Sequence, residues 1–276
     1  MSVNKQIIRA QLVNKINKVM EKSLADQQKI AVAFSGGLDS SLLAKVCQDL
    51  GKELTLLTIG FPGARDIKYA VEVADKLQLP LLVKEINREE LTQGISRLAK
   101  IIKFPGVRDF EVILSLDIVF RFASVKGFKV ILTATGLDAL FCGFDKTRRL
   151  LEGQGREELD KLTKRIVEHA QTTEDLFDLV AKNSNIVRIN PFMSDDFISF
   201  ALAIPSKFKV IDQYDKVRKH ILREAAMAIG VPEAAAMRPK KAIQYSTKID
   251  RVIKKIAKQA GDDKRENYFR KIFSKT

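Results

Sequence analysis

The sequence predicts an α/β fold, a doubly wound parallel sheet followed by a helical C-terminal part, and three observations support it. In the first half, short apolar and β-branched runs alternate with longer amphipathic segments, the pattern of βαβ units. After about residue 153 the pattern turns helical, punctuated by Pro191, Pro205, Pro232 and Pro239. Between the first strand run and its helix lies a glycine-containing bend, Ser35-Gly36-Gly37-Leu38-Asp39-Ser40-Ser41.

Taken in order, residues 1–24 read as one amphipathic N-terminal helix, 25–150 as the α/β domain and 151–276 as a helical part packed on it. Four runs, Lys29 to Phe34, Leu54 to Ile59, Leu81 to Ile86 and Lys129 to Thr133, are apolar enough to be strands covered on both faces,. Leu42, Leu43, Val46, Cys47 and Leu50 repeat at helical spacing, and Gly51 stands where a C-terminal cap belongs,. Ala64 to Gln78 and Asp109 to Val125 read as further helices. In the second half Glu157 to Ala181, Asp195 to Ala203 and Tyr214 to Ile229 read as helices, with no strong strand among them.

A chain of 276 residues with 46% hydrophobic and 30% charged residues can bury a sizeable core and is not a disordered polyampholyte,. No apolar stretch approaches the roughly 20 residues that span a bilayer, and no secretory signal is evident, so a cytoplasmic protein without membrane contact is expected. Cys47 and Cys142 stand apart from any CxxC or Cys/His spacing, which argues against a disulfide framework or a zinc site. Cys47 fits a core helix face and Cys142 a small apolar filler. His169 and His220, each without a second imidazole at ligand spacing, read as structural. The net charge of +14 favours polyanion contact, including tRNA, yet a heavily ionised surface accounts for it equally,.

The bend after the first strand presents backbone N–H groups at the positive end of a helix dipole, which suits phosphate. Gly36 and Gly37 remove Cβ atoms that would block an anion, and Ser35, Ser40 and Ser41 can add hydroxyl donors. Neither a Walker A lysine nor GxGxxG spacing is present. A carboxylate at Asp39 would repel polyphosphate unless a divalent cation stood between them, so Asp39 implies Mg²⁺, unless it serves merely as a helix N-cap. If the fourth strand neighbours the first, the loop Thr135-Gly136-Leu137-Asp138 brings Asp138 opposite Asp39 as a second metal ligand or, again, as an N-cap.

The sequence resembles the synthetase half of the glutamine-dependent asparagine synthetase family, within the PP-loop ATP pyrophosphatases. The likeness rests on SGGLDSS, on Phe61-Pro62-Gly63-Ala64-Arg65-Asp66 with Val71 to Ala74, and on Thr135 to Phe144 against the family's GxGxDELFGGY. It continues through Asn190-Pro191-Phe192 to Pro205, Arg218 to Ala225 (RKHILREA) and Arg238 to Gln244, covering roughly residues 25–250. The resemblance implies an adenine-nucleotide-hydrolase-like (Rossmann-like) fold and a ligase that forms an acyl-adenylate and pyrophosphate from ATP, then passes the acyl group to an amine. Asparagine synthesis is the default. It implies ATP contacts from Ser35, Gly36, Gly37, Leu38, Asp39, Ser40 and Gly136, adenosine contacts near Ile59 and Thr133, and Asp138 and Lys240 as catalytic groups. Lys240 would also touch ATP, with Lys241 as its alternative, and a fixed ammonium there would oppose charge developing on the phosphate.

Two departures bear on this expectation. The family's glutaminase domain, headed by a cysteine, has no counterpart in this sequence, where Ser2 follows Met1, so ammonia or another amine would come free or from a glutaminase partner. The acidic residues of the family's GEGxDE stretch fall at Thr135 and Ala139, which removes carboxylates from the amine-capture step. The alternatives are an ATP pyrophosphatase that adenylates a tRNA base and a catalytically reduced ATP-binding subunit. A homodimer is the default assembly.

Overall fold

The computed structural model describes residues 3–239 and 241–275. Its strands are β1 (Lys29–Ala33), β2 (Glu53–Gly60), β3 (Leu81–Glu85), β4 (Val130–Leu132) and β5 (Val187–Ile189). The α-helices are α1 (Val3–Ser23), α2 (Leu38–Asp49), α3 (Arg65–Leu77), α4 (Arg88–Ala99), α5 (Val107–Val125), α6 (Leu137–Leu140), α7 (Asp145–Arg149) and α8 (Gly155–Asn183). They continue as α9 (Asp195–Ala203), α10 (His220–Ile229), α11 (Glu233–Ala236), α12 (Ile243–Ser246), α13 (Ile249–Gln259) and α14 (Arg265–Phe273).

The strands form one parallel sheet in the order β3-β2-β1-β4-β5, with Ala31 beside both Thr55 and Ile131. All four predicted strands are present. The order reverses between β1 and β4, so their following loops diverge to form the crevice where α/β sheets bind ligands. Strand alternation assigns the two cores. Ile30, Val32, Leu54, Leu56 and Leu132 pack against residues of α1, α2, α3, α9 and α10, while Ala31, Leu57, Ile59 and Ile131 pack against α4, α5, α13 and α14. Ala31 is small where α5 crosses the sheet, and α5 itself buries residues around nearly its whole circumference, as a helix sandwiched between layers must,. Phe269 of α14 meets Phe110 of α5 edge-on, ring centroids 4.7 Å apart, fastening the C-terminal helices to the sheet,.

Two expectations fail. The second half does contain a strand, β5, three residues long and pairing with β4. So short a run, Val187-Arg188-Ile189, carries no readable alternation, and its edge position leaves Val187 exposed,. The helix expected from Tyr214 begins only at His220. Asp215 accepts hydrogen bonds from the N–H groups of Ile211, Val217 and Arg218, closing a turn, and Arg218 and Lys219 both have φ of +55°, which no α-helix accommodates,.

Candidate active site

The glycine bend leaves the C-terminal end of β1 as the sequence suggests. The Ser35 N–H donates to Ser40 Oγ at 3.2 Å, and the Gly37 N–H to Ser35 Oγ at 3.3 Å. Gly36 has φ of +65°, and a Cβ there would lie 2.5 Å from the Tyr69 carbonyl oxygen, so backbone packed against backbone demands glycine,. Ser41 departs from expectation: fully buried, it turns away from the bend's concave side and lines neither cavity described below.

Neither aspartate caps its helix. Gly37 and Gly136 occupy the N-cap positions of α2 and α6, and both carboxylates turn instead to one ammonium. Lys219 Nζ, 2% exposed, lies 2.8 and 2.7 Å from the two carboxylate oxygens of Asp39 and 2.6 Å from Asp138 Oδ1. The adjacency of β1 and β4 therefore brings Asp39 and Asp138 together, with Lys219 between them. Gly143 completes the enclosure, since a Cβ there would lie 2.3 Å from Asp138 Oδ1 and 2.4 Å from Lys219 Cε.

Lys219 reaches this point because of the failed helix. The Asp215 turn delivers it, and Arg223 on α10 locks the turn. Arg223 Nε donates to the Arg218 carbonyl at 2.7 Å, Nη2 to the Val217 carbonyl at 2.8 Å, and Nη1 to the carbonyls of Ala236 and Arg238. Burial lowers the Arg223 pKa, against the pull of the nearby Asp39 and Asp138 charges,. One guanidinium thus ties the Lys219 turn to the segment carrying Arg238. Arg238 in turn donates to the Ser35 carbonyl and, at 2.7 Å, to Asp66 Oδ1, and stacks 4.0 Å from the Tyr69 ring centroid,. Ser246 Oγ donates to the other Asp66 oxygen at 2.6 Å.

A cavity of about 580 Å³ opens from this cluster along the ends of β1, β2 and β4. Ser35, Asp39, Ser40, Ile59, Thr133, Gly136 and Asp138 all line it, while Gly37 and Leu38 line a narrow adjoining recess with Lys219, Arg223 and Arg238. Gly36 lines neither space. Lys240 lies outside the described residues; Lys241 borders both spaces.

The far wall of the cavity was not anticipated. Glu174 and His169 of α8 and Arg108 and Asp109 of α5 line it. His169 Nε2 lies 3.0 Å from Asp109 Oδ2, bridging the two helices. Thr135, standing where a carboxylate was missed, donates its hydroxyl to Glu174 Oε1 at 2.8 Å. Arg188 on β5, its side chain 2% exposed, donates to Glu174 Oε2 at 2.6 Å and to Asp178 Oδ1 at 2.7 Å. Asn190 Nδ2 donates to Thr135 Oγ1 at 2.7 Å and Glu174 Oε2 at 2.9 Å. No local pattern marks Glu174 among the many charged residues of a 29-residue helix. Arg188 was missed with its strand. For Lys219 a signal existed in RKHILREA.

The cysteines fit the expected apolar roles. Both are fully buried; burial pushes the Cys47 thiol up to about 12, and Cys142 Sγ rests 3.6 Å from Thr163 Oγ1. His220 bonds Asp215 at 2.7 Å, inside the turn that positions Lys219. Among the described residues no helix is long and apolar enough to cross a membrane.

The family model for asparagine synthase matches residues 12–188 and 178–275. A putative glutamine-hydrolysing asparagine synthetase of Methanocaldococcus jannaschii is 29% identical over 274 residues, covering 88% of this chain and 50% of that protein. The nodule asparagine synthetase of Pisum sativum is 28% identical, covering 78% of this chain and 38% of that protein. The chain thus spans half or less of the length of these relatives. Among solved structures, an ammonia-dependent NAD synthetase of Campylobacter jejuni covers the whole chain at 13% identity with a TM-score of 0.40. A predicted tRNA methyltransferase subunit of Methanocaldococcus jannaschii covers 77% of it at 18% identity and 0.37. With its matched family model running over nearly all of its length, this chain belongs to the asparagine synthase family.

Proposed function

We propose that this protein binds ATP across the phosphate bend and the 580 Å³ cavity, adenylates a carboxylate substrate with release of pyrophosphate, and transfers the acyl group to an amine. The observation that carries the reading is the Lys219 bridge, which holds Asp39 and Asp138 at the mouth of an anion-binding bend. Carboxylates facing a triphosphate are unfavourable by themselves. Asp39 and Asp138 both line the cavity, and carboxylate oxygens are the donors that a hard divalent cation takes,. Their donor set therefore fits Mg²⁺, which keeps most of its waters and takes one or two carboxylates. Bound there, Mg²⁺ would neutralise the polyphosphate.

The chain's own groups supply the rest. The bend's N–H groups, with the hydroxyls of Ser35 and Ser40, hold the departing pyrophosphate, and backbone near Ile59 and Thr133 holds adenosine. The substrate carboxylate attacks the α-phosphorus and expels pyrophosphate; the amine then attacks the acyl carbon and expels AMP. Lys240 provides the fixed cation for both displacements, with Lys241 as the alternative. Aspartate is the default acyl substrate, and ammonia, free or supplied by a glutaminase partner, the default amine.

The test is pyrophosphate exchange into ATP, screened first with single amino acids, L-aspartate included, and then with bulk tRNA. Carboxylate-dependent exchange is expected. Exchange that requires tRNA instead would establish base adenylation, the reading favoured by the net charge of +14,. Silence throughout, in folded protein, would reduce the chain to a nucleotide-binding subunit.

A further inference from the structure

The cavity and its adjoining recess differ chemically. The recess at the bend is lined by Lys219, Arg223, Arg238 and Lys241 together with Asp39 and Asp66. On the wall formed by α5 and α8, where Arg108 and Asp109 also stand, the guanidinium of Arg188 pairs with Glu174 and, outside the cavity, with Asp178. Arg188 is spent in these pairs and in donation to Thr133 Oγ1 at 2.9 Å, so it has nothing to offer an anionic ligand. Glu174 is the member of the pair that lines the cavity. Its Oε2 accepts from Arg188 and Asn190, but among the described residues its Oε1 accepts only the Thr135 hydroxyl, which leaves acceptor capacity on that oxygen,. Beside it the buried Oδ1 of Asn190 accepts no hydrogen bond.

A carboxylate held rigidly on three side chains, with lone pairs to spare, favours a cationic N–H donor. We infer that Glu174 forms an ammonium-binding subsite on the α8 wall of the cavity. The inference rests on the ligase reading above. The ammonium can belong to the incoming amine nucleophile or to the α-amino group of the acyl substrate, and both present the same N⁺–H donors.

Kinetics of Glu174→Gln separate the two. The variant preserves shape and removes the charge. If the subsite takes the nucleophile, the KM for ammonium chloride in AMP release rises at least tenfold, while aspartate-dependent pyrophosphate exchange stays within about threefold. If it takes the acyl substrate, the KM for L-aspartate in exchange rises at least tenfold. Glu174→Asp, which retains the charge, should recover part of either loss, and it is the variant to read should Glu174→Gln not fold. Asp178→Asn disturbs the same arginine away from the cavity and should leave both KM values unchanged. The inference is overturned if neither KM moves in Glu174→Gln, or if Asp178→Asn reproduces the change, which would make Glu174 merely structural. Unaltered protein lacking exchange with every amino acid screened would overturn the parent reading before any variant is made, and the inference with it; should another amino acid support exchange, it replaces aspartate in these assays.

Discussion

The loops after β1 and β4 have the same design, a strand end, a glycine with positive φ and an aspartate just inside the next helix, yet they are completed differently. The β1 loop is nearly self-sufficient: Ser35, Gly37 and Ser40 bond one another within six residues. The β4 loop borrows almost everything. Thr135 relies on Glu174 from α8 and Asn190 beyond β5, and Gly136 is roofed by Met193, whose sulfur would lie 2.1 Å from an added Cβ. A local motif can therefore hold its turn by itself, whereas the β4 loop takes its shape from elements far away in the chain. Lys219, from a third element, joins the loops through their two aspartates.

The sharpest way to break the comparison is to remove that join. Lys219→Met should reduce pyrophosphate exchange about 10³-fold, the scale of losing one well-placed electrostatic group, and destabilise the fold by about 1–3 kcal/mol by depriving two half-buried carboxylates of their counter-charge,. Stopped exchange assays and urea denaturation measure the two effects. Full activity in this variant would refute the bridging role. Gly143→Ala attacks the same pair by volume instead of charge. Its Cβ would wedge between Asp138 and Lys219, so a loss of about 10²-fold in exchange, with about 1–3 kcal/mol of overpacking strain, is expected,.

Alanine at the two loop glycines tests self-sufficiency directly. In Gly36→Ala the new methyl meets the Tyr69 backbone, which cannot move without the helix; in Gly136→Ala it meets the tip of a flexible methionine. Both bear the left-handed conformation's cost of about 1–2 kcal/mol, but Gly36→Ala should be the less stable by a further ~1–2 kcal/mol of overpacking. Equal denaturation midpoints would remove the distinction.

Of this arrangement, the sequence revealed the turn of the β1 loop and the place of its aspartate, though not the Lys219 partner, because such a bend needs neighbours only a few residues apart. It revealed Asp138 conditionally, since that depended on β1 and β4 being adjacent. It gave no sign of Glu174 or Arg188. A residue on a long polar helix and another on a three-residue edge strand meet only after the sheet closes, and no short-range spacing encodes such a meeting.

Smaller effects come from the Asp215 turn. Burial acts to raise the Asp215 carboxyl pKa, but the N–H groups of Arg218 and Ile211 and the His220 ring outweigh it and hold the pKa below the ordinary carboxylate value,. A folded-state pKa below the unfolded one adds stability at pH above about 4, and that stability is lost as pH falls through the lowered value. Asp215→Asn should therefore cost about 1–2 kcal/mol near neutrality and flatten the acid limb of a plot of unfolding free energy against pH. An unchanged limb would mean that the turn does not depend on this charge. The mildest change is Thr135→Val, which removes one hydroxyl from the Glu174 network and should cost about 1 kcal/mol in denaturation.

The sequence by itself determined the parallel α/β layering, the glycine bend and its polarity, because these follow from local periodicity, helix dipoles and the steric freedom of glycine. Tertiary structure alone decided that a lysine should stand between the two aspartates and that a glutamate from α8 should face the cavity. Both depend on charges separated by dozens of residues being buried together, where only the completed fold makes pairing preferable to hydration.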